Sequence, residues 1–210
     1  AGIFAGAMTI RALRRGDRRF AGWALGVFGA LVVASLAAFP SWPLEWTREL
    51  LTHRVEIARP MPTAWGLSVL LFGDAIWGAL VVALVVALVL VVARGRRVDG
   101  VAFGAIVLAI SLFATPYVGG YDQLFIAPSW AVVLAAAARS APRRRGVLIG
   151  AVVAVAVVVP WSLLVLFSGA GSDTLNALVP ALSAVLATAA QPRLPHGGEG
   201  RTRAGPPLPA

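Results

Sequence analysis

Long apolar runs alternate along the chain with short connections that carry either arginines or acids. Crossing ~30 Å of hydrocarbon takes about 20 apolar residues in a helix. Six stretches approach that length, near residues 20–39, 75–93, 100–117, 123–138, 147–168 and 174–190. The fourth and sixth are short for a span, which predicts little tilt or partial enclosure by protein. Residues 1–10, AGIFAGAMTI, read as the tail of an earlier apolar helix. A start at Met8, with RALRRGDRR as a signal-peptide n-region and ASLAA near residue 36 as a cleavage site, is the alternative. The apolar run that follows is too long for it and five more spans come after, so 20–39 reads as a retained helix. The expected fold is an all-α, polytopic integral membrane helical bundle of about six transmembrane helices over residues 1–190. From Gln191 onward the chain is rich in Pro, Gly and Arg, which predicts a disordered tail over 191–210.

Composition supports that pattern. With 59% hydrophobic and 13% charged residues among 210, a soluble single-core domain would have to expose large apolar patches. The absence of cysteine removes disulfides and thiolate metal sites. The net charge of +9 would point to nucleic acid in a soluble chain, but its placement gives a better account. Every basic residue is an arginine, and 15 of the 18 lie in 11–19, 94–97, 139–145 and the tail. By the positive-inside rule these segments are cytoplasmic and contact anionic lipid, with no nucleic-acid partner. The 40–63 loop and the 116–122 and 169–173 turns are then outside, with Arg48, Arg54 and Arg59 as the only outer arginines.

Six of the nine acids, Glu45, Glu49, Glu56, Asp74, Asp122 and Asp173, fall on that outer side. In SWPLEWTRELLTHRVEIARPMPT, Ser41 and Pro43 mark a helix start. Leu44, Leu51, Val55 and Ala58 share one face of that helix, and Glu45, Glu49, Thr52 and Glu56 another. Such a helix lies in the interface with Trp42, Trp46 and Trp65 at headgroup depth. Alternatively Arg48, His53, Arg54 or Arg59 binds a lipid-linked phosphate, for which the guanidinium fork is suited. Glu56 paired with Arg59 accounts for the charges as well as a metal site of these glutamates with His53 would. Asp74, Asp122 and Asp173 each open a helix entering from outside, where a carboxylate caps free N–H groups. Gly119 and Gly120 make the tight turn of TPYVGGYDQLF.

That turn holds more hydrogen-bonding groups than a connection between spans requires. Thr115, Pro116, Tyr117, Tyr121 and Asp122, followed by an apolar helix bearing Pro128, resemble the C-terminal half of glycosyltransferase family 87. The arginine-rich loop at 11–19 and the Trp-bearing outer loop support the resemblance, which spans roughly residues 1–190. It implies a multispan C-type glycosyltransferase in a bacterial plasma membrane, multi-pass, with a cytoplasmic C-terminus. The implied reaction moves a hexosyl- or mannosyl-type sugar from a polyprenyl-phosphate donor to an envelope glycolipid or polysaccharide at the outer face. Such transfer needs a carboxylate base, cations or N–H groups for the departing phosphate, and an apolar groove for the lipid. Tyr117, Tyr121, Asp122, His53, Arg54 and Arg59 are the expected substrate-binding residues. No cofactor beyond the donor substrate is implied, and metal dependence is left open. In that family the catalytic carboxylate belongs to the first outer loop, and this chain is expected to begin after it, as the C-terminal part of a longer protein; the catalytic base is therefore unassigned.

Two rival readings belong to other classes. A transporter or permease fragment would keep ionisable groups or broken helices at mid-membrane, and no span carries a charge in its middle. Pro128, Pro160 and Pro180 serve as tolerated kinks as often as binding-site breaks. A non-catalytic membrane subunit would pack small-residue helices such as AVVLAAAA on a partner.

Overall fold

The computed structural model describes residues 2–115, 124–167 and 172–194, and all regular elements within them are helical. The helices are α1 (Gly2–Arg14), α2 (Arg18–Ala38), α3 (Trp42–Thr52), α4 (Arg54–Ala58), α5 (Ala64–Phe72), α6 (Gly78–Ala93), α7 (Gly100–Ala114), α8 (Ala127–Ala138), α9 (Pro142–Val153), α10 (Val159–Leu166), α11 (Ser172–Leu175) and α12 (Leu178–Ala190).

The centre is α12 against α7, and small residues make it possible. Ala181, Ala184, Ala187 and Ala190 recur every three positions along the buried side of α12. They let its backbone approach the Ala102, Ala105, Ile106, Ala109 and Phe113 side of α7. Val89 of α6, Val133 and Ala137 of α8, and Leu148 and Val152 of α9 close the same cluster. Two side-chain bonds fix α8 in register. Ser129 Oγ donates to the Ala105 carbonyl at 2.9 Å, and Trp130 Nε1 donates to Ser183 Oγ at 2.9 Å. The small-residue run at 131–138 thus places Val133 and Ala137 inside this chain.

Three helical stretches are long and apolar enough to cross a bilayer: Arg18–Ala38, Ala75–Ala93 and Pro142–Leu166, with mean hydropathies of 2.0, 3.1 and 2.6. They are less buried than the shorter apolar helices, with 6%, 17% and 17% of their most apolar 18-residue windows enclosed. The apolar helices at 100–114, 124–138 and 178–190 are shorter and hold the centre. Long helices thus form the rim and short ones the middle. α2 packs chiefly on α1 and buries only Ala21.

Several boundaries differ from the sequence expectation for local reasons. α7 ends at Ala114 and not at 117, because Thr115 precedes Pro116 and takes an extended conformation (ψ 129°). The stretch expected at 147–168 begins earlier, at Pro142, whose missing N–H costs nothing in a first turn. It then widens into a π turn over Ala154–Val158 just before Pro160, which accommodates a proline inside a continuous helical stretch. Pro128 and Pro180 also fall in first turns, of α8 and α12. The single helix expected in the 40–63 loop is broken at His53 into α3 and α4, and α5 follows as a further short helix.

The two ends of the bundle differ chemically. At one end Arg96 donates to the carbonyls of Ala189 and Gln191 at 2.6 and 2.8 Å, Arg144 to Ala190 at 3.1 Å, and Arg11 to Val98 at 3.2 Å. Three arginine segments meet there, and Arg193 of the fourth bridges Arg96. Gln191–Leu194, at the head of the expected tail, runs back along this end: the Leu194 N–H donates to the Gly95 carbonyl and the Arg97 N–H to that of Pro192. Asp17 and Asp99 cap α2 and α7 at this end, accepting from the Phe20 and Ala102 amides. The opposite end carries α3, α4 and the start of α6.

Two glycines at that opposite end permit close approach. A Cβ on Gly66 would overlap the Met61 carbonyl oxygen and lie 2.7 Å from that of Ala58, and one on Gly78 would lie 2.6 Å from the Trp65 ring. Gly66→Ala and Gly78→Ala are expected to destabilise by about 1–3 kcal/mol, whereas Gly26→Ala, which meets nothing within 4 Å, leaves thermal unfolding in detergent unchanged or slightly improved.

Candidate functional site

A cleft of about 490 Å³ opens at the end away from the arginine loops, between α3 and α4 on one side and α5 and the start of α6 on the other. Trp46, Leu51, Ile57, Trp65, Ile76 and Ala79 give it apolar walls, and Thr47 and Arg54 are its polar lining.

Chain geometry places each of these groups. His53 terminates α3, its amide bonding the Glu49 carbonyl, and the turn it makes swings Arg54 towards the α5–α6 connection. There Gly73 adopts the left-handed conformation (φ 77°) that closes α5. Asp74 follows, and its Oδ1 accepts from the Ile76 amide at 3.0 Å, capping a 3-10 turn over Ala75–Trp77. The capping expected of Asp74 is therefore present. Its carboxylate also takes a two-point bond from Arg54, Nε to Oδ1 at 2.9 Å and Nη2 to Oδ2 at 3.0 Å, while Arg54 Nη1 donates to the Leu51 carbonyl at 3.0 Å. The Arg54 hydrogen bond, followed by the Ile76 amide, holds the Asp74 carboxyl at about 2, below its ordinary 3.8. The same partner raises Arg54.

Trp65 forms the floor of the cleft. Its Nε1 donates to the Ala114 carbonyl at 2.7 Å, and its ring lies on Gly78. That bond ties the cleft to the end of α7, one residue before the TPYVGGYD turn. Thr115 Oγ1 donates back to the Ser111 carbonyl at 2.6 Å.

The expected site residues distribute unevenly. His53 and Arg54 adjoin each other, but His53 turns to Glu49, with Nδ1 3.0 Å from its carboxylate, and Arg54 to Asp74. Arg59 caps α4, and its carbonyl accepts from Thr174 Oγ1, so its backbone anchors α11. Tyr117, Tyr121 and Asp122 lie outside the described residues. Asp173 falls at the second position of α11, not ahead of it. No three His, Cys, Asp or Glu side chains gather among the described residues, and no Glu56–Arg59 pair is found among them; their ion pairs are His53–Glu49 and Arg54–Asp74.

The Arg54–Asp74 bond and the Trp65 contacts escaped the sequence reading. The partners are 20 and 49 residues apart, with no periodicity to link them. The one available signal was chemical, an arginine and an aspartate expected on the same side. Comparison with protein-family models, with curated proteins and with solved structures finds no match.

Trp65→Phe removes one donor from a half-buried carbonyl and is expected to cost about 1 kcal/mol in thermal or denaturant unfolding. For Asp74 the lowered pKa sets the sign: the pair contributes above pH 3.8 and the contribution disappears as pH falls through about 2. The difference in melting midpoint between wild type and Asp74→Asn should thus be constant above about pH 4–5 and close towards pH 2. Being exposed, it should also shrink in high salt.

Proposed function

We propose that the chain is an integral membrane protein with six crossing segments and cytoplasmic arginine loops, and that it acts in sugar transfer as a C-type glycosyltransferase. The donor is a polyprenyl-phosphate-linked hexose, and the acceptor an envelope glycolipid or polysaccharide at the outer face.

One observation carries this reading: an apolar cleft with an arginine on its lip, at the end opposite the arginine loops. A lipid-linked phosphosugar presents the complementary chemistry. Its isoprenoid chain matches walls of Trp46, Leu51, Ile57 and Ile76, and its phosphate matches the Arg54 fork. Asp74 competes for that fork, since three Arg54 N–H groups are committed to Asp74 and Leu51. Phosphate binding then means exchanging one anion for another at a preformed guanidinium, and the fork stays charged and oriented while the cleft is empty. Asp122, from the resemblance, serves as a lining group near the acceptor, and the general base is not assigned.

The proline positions weaken the transporter reading. Pro128 and Pro180 sit in first turns, and Pro160 follows a π turn in a continuous stretch, so none of them interrupts a helix to make an ion site.

The test is transfer from a polyprenyl-phosphate sugar by the full-length protein reconstituted in lipid. Arg54→Gln should weaken donor binding by about tenfold or more, and Ala79→Leu, which narrows the cleft, should weaken it without changing charge. Asp74→Asn should tighten binding by releasing the fork. Unchanged turnover in Asp122→Asn removes Asp122 from the site. Donor binding without transfer would favour the subunit reading, and absence of both would overturn the proposal.

A further inference from the structure

A second cleft, of about 600 Å³, lies at the arginine end between α1, the start of α2 and α7. Its walls are apolar, formed by Phe4, Met8, Ala12, Val101 and Leu108. Gly104 leaves one wall open: a Cβ there would meet only Met8 Sδ, at 3.9 Å. Arg11, Arg15 and Asp17 are the charged lining.

Arg11 is held in place before any ligand arrives. Its guanidinium stacks on the Phe103 ring at 4.3 Å, and its Nη2 donates to the Val98 carbonyl. Its Nε is enclosed and finds no acceptor among the described residues, so neither Nε nor the Val98-bonded Nη2 draws on a carboxylate, and the guanidinium lines the cleft without a counter-ion. Arg15 reaches the same mouth, its Nη1 lying 3.9 Å from where a Gly100 Cβ would be. Over residues 11–19 five arginines face Asp17, with Asp99 alongside, and both aspartates are already engaged as helix caps. The cleft therefore combines a net positive mouth with an apolar slot.

We infer that this cleft binds one anionic phospholipid of the adjacent leaflet, its phosphate at Arg11 and Arg15 and an acyl chain along Met8, Gly104 and Leu108. Charge complementarity selects the headgroup, and the apolar wall distinguishes a lipid from free phosphate, which would use the arginines alone. The site is separate from the cleft at the other end and rests only on the membrane part of the functional reading.

The experiment is flotation of the full-length protein with phosphatidylcholine vesicles and with vesicles containing phosphatidylglycerol, followed by native mass spectrometry of lipid retained after detergent extraction. Co-flotation with phosphatidylcholine tests membrane residence by itself. Retention of one phosphatidylglycerol in preference to phosphatidylcholine is expected. Arg11→Gln/Arg15→Gln should reduce it about tenfold or more, and Gly104→Leu, which fills the wall and leaves every charge in place, should reduce it comparably. Wild-type thermal unfolding midpoints in both variants would show that they fold, whatever the ligand of the other cleft. Equal retention of the two lipids overturns the inference. So does displacement of the phospholipid by millimolar inorganic phosphate, or loss in the arginine variant with full retention in Gly104→Leu, since either reduces the site to surface electrostatics.

Discussion

The last carbonyls of a helix have no donor within it, and a bundle with so apolar a surface offers them little water. In this chain, side chains from distant segments satisfy several of them. Arg96 closes α12 through Ala189 and Gln191, Arg144 reaches Ala190, Trp65 reaches Ala114 at the end of α7, and Thr174 reaches Arg59 at the end of α4. Each bond does two things. It removes an unsatisfied acceptor, and it ties a helix end to an element far away in sequence. Placing arginines at the C-terminus of α12 also matches the negative end of its dipole. The most enclosed helix is thereby fastened at its end by charges that themselves stay near the surface.

From this follows the chemical asymmetry of the molecule. Arginines at one end bind backbone carbonyls, while the described carboxylates there, Asp17 and Asp99, bind backbone amides. The two described acids at that end are committed to helix caps and form no ion pair among the described residues, so the more numerous arginines leave it net positive. At the other end the logic reverses. His53–Glu49 and Arg54–Asp74 pair directly, and tryptophans surround them. A positive rim with an apolar slot, and a paired-charge rim with another, are two different environments for amphipathic ligands on one scaffold.

Short helices at the centre and long ones at the rim have the same origin. α7 and α12, at 15 and 13 residues, reach only about 20–22 Å. They occupy the middle because alanine-rich faces pack closely on one another, whereas α2 and α6 leave many of their large apolar side chains exposed. The central helices end where Thr115 and Gln191, each followed by a proline, turn extended, and side chains from other segments bond those ends. A helix of that length at the rim would have no such cover.

Hydropathy alone located six apolar helical segments, three of them long enough to cross a bilayer, to within a few residues at most of their ends, although the last, expected at 174–190, is divided between α11 and α12. Boundaries went astray where a single proline acts on its neighbour, at Thr115 and Pro142, and where a turn breaks a short helix, at His53. The arginine pattern separated the segments that gather at one end, since charge placement is also a property of the chain. What the sequence could not determine is which polar group meets which. Arg54 has three acids near it on the chain, Glu45, Glu49 and Glu56, yet bonds Asp74; Arg96 is 93 residues from Ala189. These pairings, and the two clefts they border, depend on the packing of non-adjacent helices. Only the tertiary structure decides that, because the energy of a contact exists only once chain entropy has been overcome to bring its partners together.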